Sequence, residues 1–146
     1  MPFILEVPKE YGYILAVATA SVFVNTAHKI MTSMTRNASG VPYPNTYATK
    51  EEIEKNPKAL KFNLAQRAHA NFIENHSSFI TALLIAGVGY PSQATWAGST
   101  WVFGRVLYAI GYINFGPPGR GPGYLISQLG KMALTTMAVL TCWNML

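Results

Sequence analysis

The sequence predicts an all-α integral membrane protein: an antiparallel four-helix bundle forming one domain over residues 1–146. Three observations carry this. Half of the chain is hydrophobic and only 12% is charged, against about a quarter charged in soluble domains. The mean hydropathy is positive, at +0.19. Four apolar stretches, at roughly 11–31, 59–90, 93–115 and 124–146, each reach the ~20 residues that a spanning helix needs.

The first stretch, Tyr11 to Met31, is closed by the turn-forming run Gly40-Val-Pro-Tyr-Pro44. The second, from Ala59 to Tyr90, is polar on one face in its first half. Tyr90-Pro-Ser92 separates it from the third, and so short a link makes the two antiparallel neighbours. The third stretch, Gln93 to Phe115, ends at Gly116-Pro-Pro-Gly-Arg-Gly-Pro-Gly123, and the fourth runs from Tyr124 to Leu146. No internal repeat or low-complexity tract is present.

The net charge of +5 does not point to nucleic acid. The basic residues are neither clustered nor interleaved with aromatics. They lie mainly between the apolar stretches. Arg36, Lys50, Lys55, Lys58 and Lys61 fall in the first loop and Arg120 in the third, while the second loop has no Lys or Arg. The positive-inside bias then places loops one and three in the cytosol and both termini opposite. The single cysteine, Cys142, excludes an intrachain disulfide and reads as a small apolar-span residue. Met1 to Pro8 lacks the basic start of a cleavable signal peptide.

The most informative segment is Phe62 to His76. Ionisable residues inside a bilayer cost about 2.5–3.5 kcal/mol each on insertion scales, so they are rare and face polar surroundings. At about 100° per residue, Arg67, Asn71 and Glu74 lie within roughly 60° of one another, and Asn63 and Ser78 extend that stripe. On the third helix Arg105, Tyr108 and Tyr112 share a face at i, i+3 and i+7. Arg36 and Arg120 lie at the same level. Four arginines, one carboxylate, one amide and two phenols thus meet at one membrane depth. Arginine suits bidentate recognition of carboxylates, and Glu74 suits an amine. Glutathione has that charge pattern and a thiol, which a nearby arginine would hold as thiolate.

A plainer reading is that buried Arg and Glu neutralise one another across helices. It applies best to Arg105, the deepest on the third helix, which is expected to form a structural ion pair with Glu74. Lys131 is expected to snorkel to the cytosolic surface. His69 and His76 lie off the stripe, about 10 Å apart along the helix, and do not make a metal site. His28 reads as an interface residue.

The two motifs Gln66-Arg-Ala-His-Ala-Asn-Phe-Ile-Glu74 and Arg105-Val-Leu-Tyr-Ala-Ile-Gly-Tyr112, in this order, resemble the signature of the membrane-associated proteins in eicosanoid and glutathione metabolism. Lys9-Glu-Tyr-Gly-Tyr13 and Val41-Pro-Tyr-Pro44 add to the resemblance, which covers nearly the whole chain. It implies a homotrimer of four-helix subunits in the endoplasmic reticulum or outer mitochondrial membrane, with glutathione as co-substrate near the cytosolic face between subunits and no metal. It implies glutathione contacts at Arg67, His69, Asn71, Glu74, Tyr108 and Tyr112, with Arg36 lent by the neighbouring subunit and Arg120 activating the thiol. The sequence departs from the family at Asn75-His76-Ser77-Ser78, where an aromatic and a proline are usual, and at Arg36-Asn37, where a basic pair is usual.

Two functions remain in competition. The first is a glutathione transferase with peroxidase activity toward lipophilic electrophiles or lipid hydroperoxides. The second is a non-catalytic membrane scaffold, or an accessory subunit of a larger membrane complex, that keeps the fold. A transporter is disfavoured by the absence of an inverted repeat.

Overall fold

A computed structural model describes residues 7–146; most of the Met1–Pro8 segment, with its signal-peptide expectation, lies outside them. The described residues form five helices: α1 (Tyr11–Ser39), α2 (Lys50–Lys55), α3 (Pro57–Gly89), α4 (Pro91–Gly119) and α5 (Gly121–Met145). No strand occurs among them.

α1 runs past Met31 to Ser39. Its polar last turns stay helical because Thr32 and Thr35 return their hydroxyls to the carbonyls of His28 and Met31, each at 2.9 Å. Gly40 ends it in the left-handed region, φ 73°, with its N–H on the Arg36 carbonyl. The short α2 is set by a capping box: Thr49 accepts from the Glu52 amide, and Glu52 accepts from the Thr49 amide. α3 begins with Asn56 as N-cap and Pro57 in its first turn.

α3 and α4 are joined only through Tyr90, and α4 and α5 through Arg120. The first link reverses the chain; the second reversal falls not at Arg120, which is itself helical (φ −73°, ψ −19°), but four residues earlier at Gly116. The break before Arg120 is made by Gly116 (φ 70°, ψ −160°), followed by Pro117 and Pro118. Only glycine takes that backbone conformation without strain, and the prolines prevent the helix from continuing through it.

α3 contacts all three other long helices; α1 packs on α3 and α4, and α5 on α3 and α4. One core cluster joins Ile14, Phe72, Phe79, Leu83, Trp101 and Leu134, with the Phe79 and Trp101 rings stacked at 3.7 Å. The α4–α5 seam is closer still. A Cβ at Gly104 would stand 2.5 Å from the Ser127 amide nitrogen, and one at Gly130 would stand 2.5 Å from the Ala97 carbonyl oxygen. This is the backbone-to-backbone approach that small residues permit between helices in lipid.

By length and apolarity, two helices are fit to cross a membrane, Tyr11–Ser39 and Gly121–Met145. α3 and α4, with 33 and 29 residues, have the length. They lack the apolarity because α3 carries Arg67 and Glu74 and α4 opens with Ser92, Gln93, Thr95, Ser99 and Thr100.

Candidate functional site

The α3 stripe divides in the structure. Arg67 and Glu74 stand exposed on the outer face, and Asn71 is half-buried. The Asn71 side-chain oxygen accepts a hydrogen bond from Arg105 Nη2 at 2.8 Å. Arg105 is only 2% exposed. Its guanidinium carbon lies 4.8 Å from the Tyr108 ring centre and 5.6 Å from that of Trp101. The sequence expectation paired Arg105 with Glu74. In the structure it pairs with Asn71, because Glu74, three residues further on, turns out to the exposed face. Arg105 is thus held by an amide and aromatic faces, and its Nε has no partner.

Tyr108 and Tyr112 are buried on α4, edge to face with ring centres 5.7 Å apart. The Gly116 break folds the chain back, so that the exposed Arg120 lies over Tyr112 with its guanidinium carbon 5.2 Å from the ring centre. Between these elements opens a cleft of about 420 Å³, lined by Asn71, Tyr108, Pro117, Pro118, Arg120, Gly121 and Tyr124. Its polar groups are an amide, two phenols and one guanidinium. They can donate hydrogen bonds to an anion and hold it beside a fixed positive charge.

Tyr124 is the residue that sequence reading missed. It lies one turn after Arg120 and was absorbed into the fourth apolar stretch. An aromatic at the first turn of a helix that follows a basic loop is the signal that could have found it.

Other candidates lie elsewhere. Arg36 is buried; its Nη1 donates to the Asn45 carbonyl at 2.8 Å, and its guanidinium lies between the rings of Tyr43 at 4.3 Å and Phe62 at 4.5 Å. It is engaged within its own chain, holding loop one on the end of α3. Asn63 helps it there, bonding the Ala48 amide at 2.7 Å and the Ala48 carbonyl at 3.0 Å. It therefore leaves the stripe that sequence periodicity assigned to it. His69 is half-buried and stacks on His28 at 6.2 Å, apart from the cleft lining. Lys131 is partly exposed, and its Nζ donates to Asn75 Oδ1 of α3 at 3.1 Å.

His76 Nε2 lies 2.9 Å from Ser21 Oγ, but that hydroxyl also donates to the Ala18 carbonyl at 2.6 Å. The serine proton is directed to the backbone, so the pair is a cross-helix contact and not an activated nucleophile. Among the described residues, no three His, Cys, Asp or Glu side chains cluster as metal ligands would.

Two helices are long and apolar enough to cross a membrane, and a polar cleft with the buried Tyr108 and the exposed Arg120 and Tyr124 on its walls opens at the α4–α5 break. The MAPEG family model matches residues 14–140. The chain belongs to that family.

Proposed function

We propose that this protein is a glutathione transferase with glutathione-dependent peroxidase activity toward lipophilic electrophiles and lipid hydroperoxides. The observation that carries this is the cleft in which Asn71, Tyr108 and Arg120 face one another beside Tyr112. Family membership over residues 14–140 supports it. Arg67 and Glu74 stand exposed on α3, where hydrocarbon would penalise them. A second copy of the chain covering that face relieves the penalty. The working form in this reading is therefore a homotrimer of antiparallel four-helix subunits, with glutathione between them and with Arg67, Asn71, Glu74, Tyr108 and Tyr112 as its contacts. His69 and Arg36 stand apart from this set in the single chain and join it only through the neighbouring subunit.

The chemistry needs a thiolate. The Arg120 guanidinium beside the cleft lowers the cost of the negative sulfur. The thiolate attacks the outer oxygen of a hydroperoxide. The O–O bond breaks, the sulfur is oxidised to a sulfenic acid, and the leaving alkoxide takes a proton to give the lipid alcohol. A second glutathione then displaces water to give the disulfide. With an epoxide, the same thiolate attacks carbon and opens the ring to a thioether. A substrate dissolved in the bilayer reaches such a site laterally.

Loops one and three, with the bulk of the basic residues, face the cytosol in this account, in the endoplasmic reticulum or outer mitochondrial membrane. The scaffold reading draws on two contacts: Arg36 and the Asn71 oxygen are satisfied within the chain. Glutathione-dependent reduction of a lipid hydroperoxide by the purified protein in detergent separates the two. Saturable turnover supports the enzyme, and its absence from an intact oligomer supports the scaffold.

A further inference from the structure

Asn71 stands on the wall of the cleft, yet its side-chain oxygen is committed to the buried Arg105, at 2.8 Å from Nη2. A guanidinium is donor-only and accepts no hydrogen bond. The atom that faces it can only be the amide oxygen, so this one bond fixes which way the amide is turned. The polar atom left to Asn71 on the cleft side is Nδ2, with its N–H donors.

Arg105 is held so that it can do little else. Its guanidinium carbon lies 4.8, 5.6 and 5.9 Å from the ring centres of Tyr108, Trp101 and Phe72. Ring faces attract the cation, and Asn71 Oδ1 supplies the directed acceptor. Asn71 is set from α5 as well. Asn75 Nδ2 donates to the Asn71 backbone carbonyl at 2.9 Å, and Asn75 Oδ1 accepts from Lys131 Nζ at 3.1 Å. Cations of α4 and α5 are thus tied to one turn of α3 through amide oxygens. The charge of Arg105 stays out of the cleft lining, but it polarises the Asn71 amide so that the positive end of the amide dipole turns toward the cleft.

We propose that Arg105 is a positioning residue. By holding Asn71 Oδ1 it makes Asn71 a hydrogen-bond donor in the cleft, so that this wall recognises an acceptor (a carbonyl, carboxylate or thiolate) and rejects an ammonium. Bound glutathione then sets one of its acceptor atoms against Asn71 and keeps its ammonium away from that wall. This rests on the reading of the cleft as a glutathione site. Without Arg105 the amide is free to turn over and to present its oxygen, which would repel the same acceptor. Arg105 therefore acts on the ligand through Asn71 and not by touching it.

The test uses the full chain in detergent and has two readouts. The first needs no ligand. An amide whose oxygen accepts a hydrogen bond has a deshielded nitrogen, which is read by magnetic resonance with the asparagine side-chain nitrogens isotopically labelled. Arg105→Met should move the Asn71 Nδ2 resonance, assigned by its loss in Asn71→Asp, to higher field, and Arg105→Lys, which still donates, should restore part of the shift. The second readout is calorimetric titration with glutathione. Arg105→Met and Asn71→Ala should each weaken binding about tenfold, the scale of one modest hydrogen bond. The double variant should bind no worse than Asn71→Ala alone, because the two act as one unit. Asn71→Asp keeps a partner for Arg105, so it should hold the melting temperature while losing affinity at least about tenfold. An unmoved resonance, losses that multiply to about a hundredfold in the double variant, or full affinity in Asn71→Asp would overturn the proposal. Failure of the wild type to bind glutathione would instead overturn the transferase reading, and the resonance alone would then decide whether Arg105 orients Asn71.

Discussion

Replacing Arg120 with leucine isolates the step that turns a bound thiol into a nucleophile. Arg120 is exposed at the α4–α5 break, with its guanidinium over Tyr112 and its side chain on the wall of the cleft. A charge pair 4 Å apart is worth ~1 kcal/mol in bulk water and ~4 kcal/mol at an effective dielectric of 20. An exposed guanidinium belongs toward the lower end, at about 1.4–2.7 kcal/mol, which is roughly one to two pKa units on the bound thiol. A free thiol near pKa 8.5 is about 3% thiolate at pH 7, so the arginine would raise that population about tenfold or more. Arg120→Leu should raise the thiol pKa by this amount and slow turnover about tenfold at pH 7. The deficit should shrink as pH rises toward the free thiol's pKa, where thiolate forms unaided. Glutathione affinity should change much less, since Asn71, Tyr108 and Tyr112 remain. Thiolate absorbance of the complex, titrated in both proteins, reads the shift directly. An unchanged thiol pKa together with unchanged turnover would refute the reasoning and make Arg120 a loop charge with no part in the chemistry.

Three further outcomes are expected. Arg67→Ala and Glu74→Ala should each abolish calorimetric glutathione binding while leaving the oligomer intact; normal affinity in an intact oligomer would return these residues to a purely interhelical role. Gly130→Val should destabilise the protein by about 1–3 kcal/mol through overpacking, because its Cβ would stand 2.5 Å from the Ala97 carbonyl; an unaltered melting temperature in detergent would show that the α4–α5 seam can open. On a Cys142→Ser background, cysteines placed at the exposed Thr46 and at Gly121, where a Cβ would meet open space, should be labelled from the cytosol; labelling of both only from the opposite side would invert the topology.

The sequence carried much of this arrangement, for reasons tied to particular residues. Gly40, Tyr90-Pro91 and Gly116-Pro117-Pro118 break helices through backbone chemistry that is local, so the ends of α3 and α4 could be read nearly in place, while the apolar stretch at Met31 stops eight residues short of the end of α1 at Ser39. The Arg105-Tyr108-Tyr112 face follows from helical periodicity alone. Contacts between helices were another matter. Periodicity says which residues share a face, but not how far one helix is rotated or slid against its neighbour. That offset gives Arg105 to Asn71 instead of Glu74, and brings Lys131 to Asn75. It also draws Asn63 and Arg36 into loop one, whose fold over the end of α3 is set by bonds to the backbone carbonyls of Ala48 and Asn45. Tyr124 escaped notice because only the chain reversal at Gly116 brings it opposite Tyr108. The helix α2 was legible as Thr49-x-x-Glu52, but a reading tuned to long apolar stretches passed over it.

The central claim is that this polar cleft makes the protein a glutathione-dependent enzyme. Its most direct test is the reduction of a fatty-acid hydroperoxide by the purified protein in detergent, followed as lipid alcohol formed per oxidised glutathione. The account predicts saturable turnover at one alcohol per glutathione disulfide, lost in Arg67→Ala. Turnover no faster than that of buffer, from an oligomer that still binds glutathione, would contradict it and leave a family fold that holds the ligand without using it.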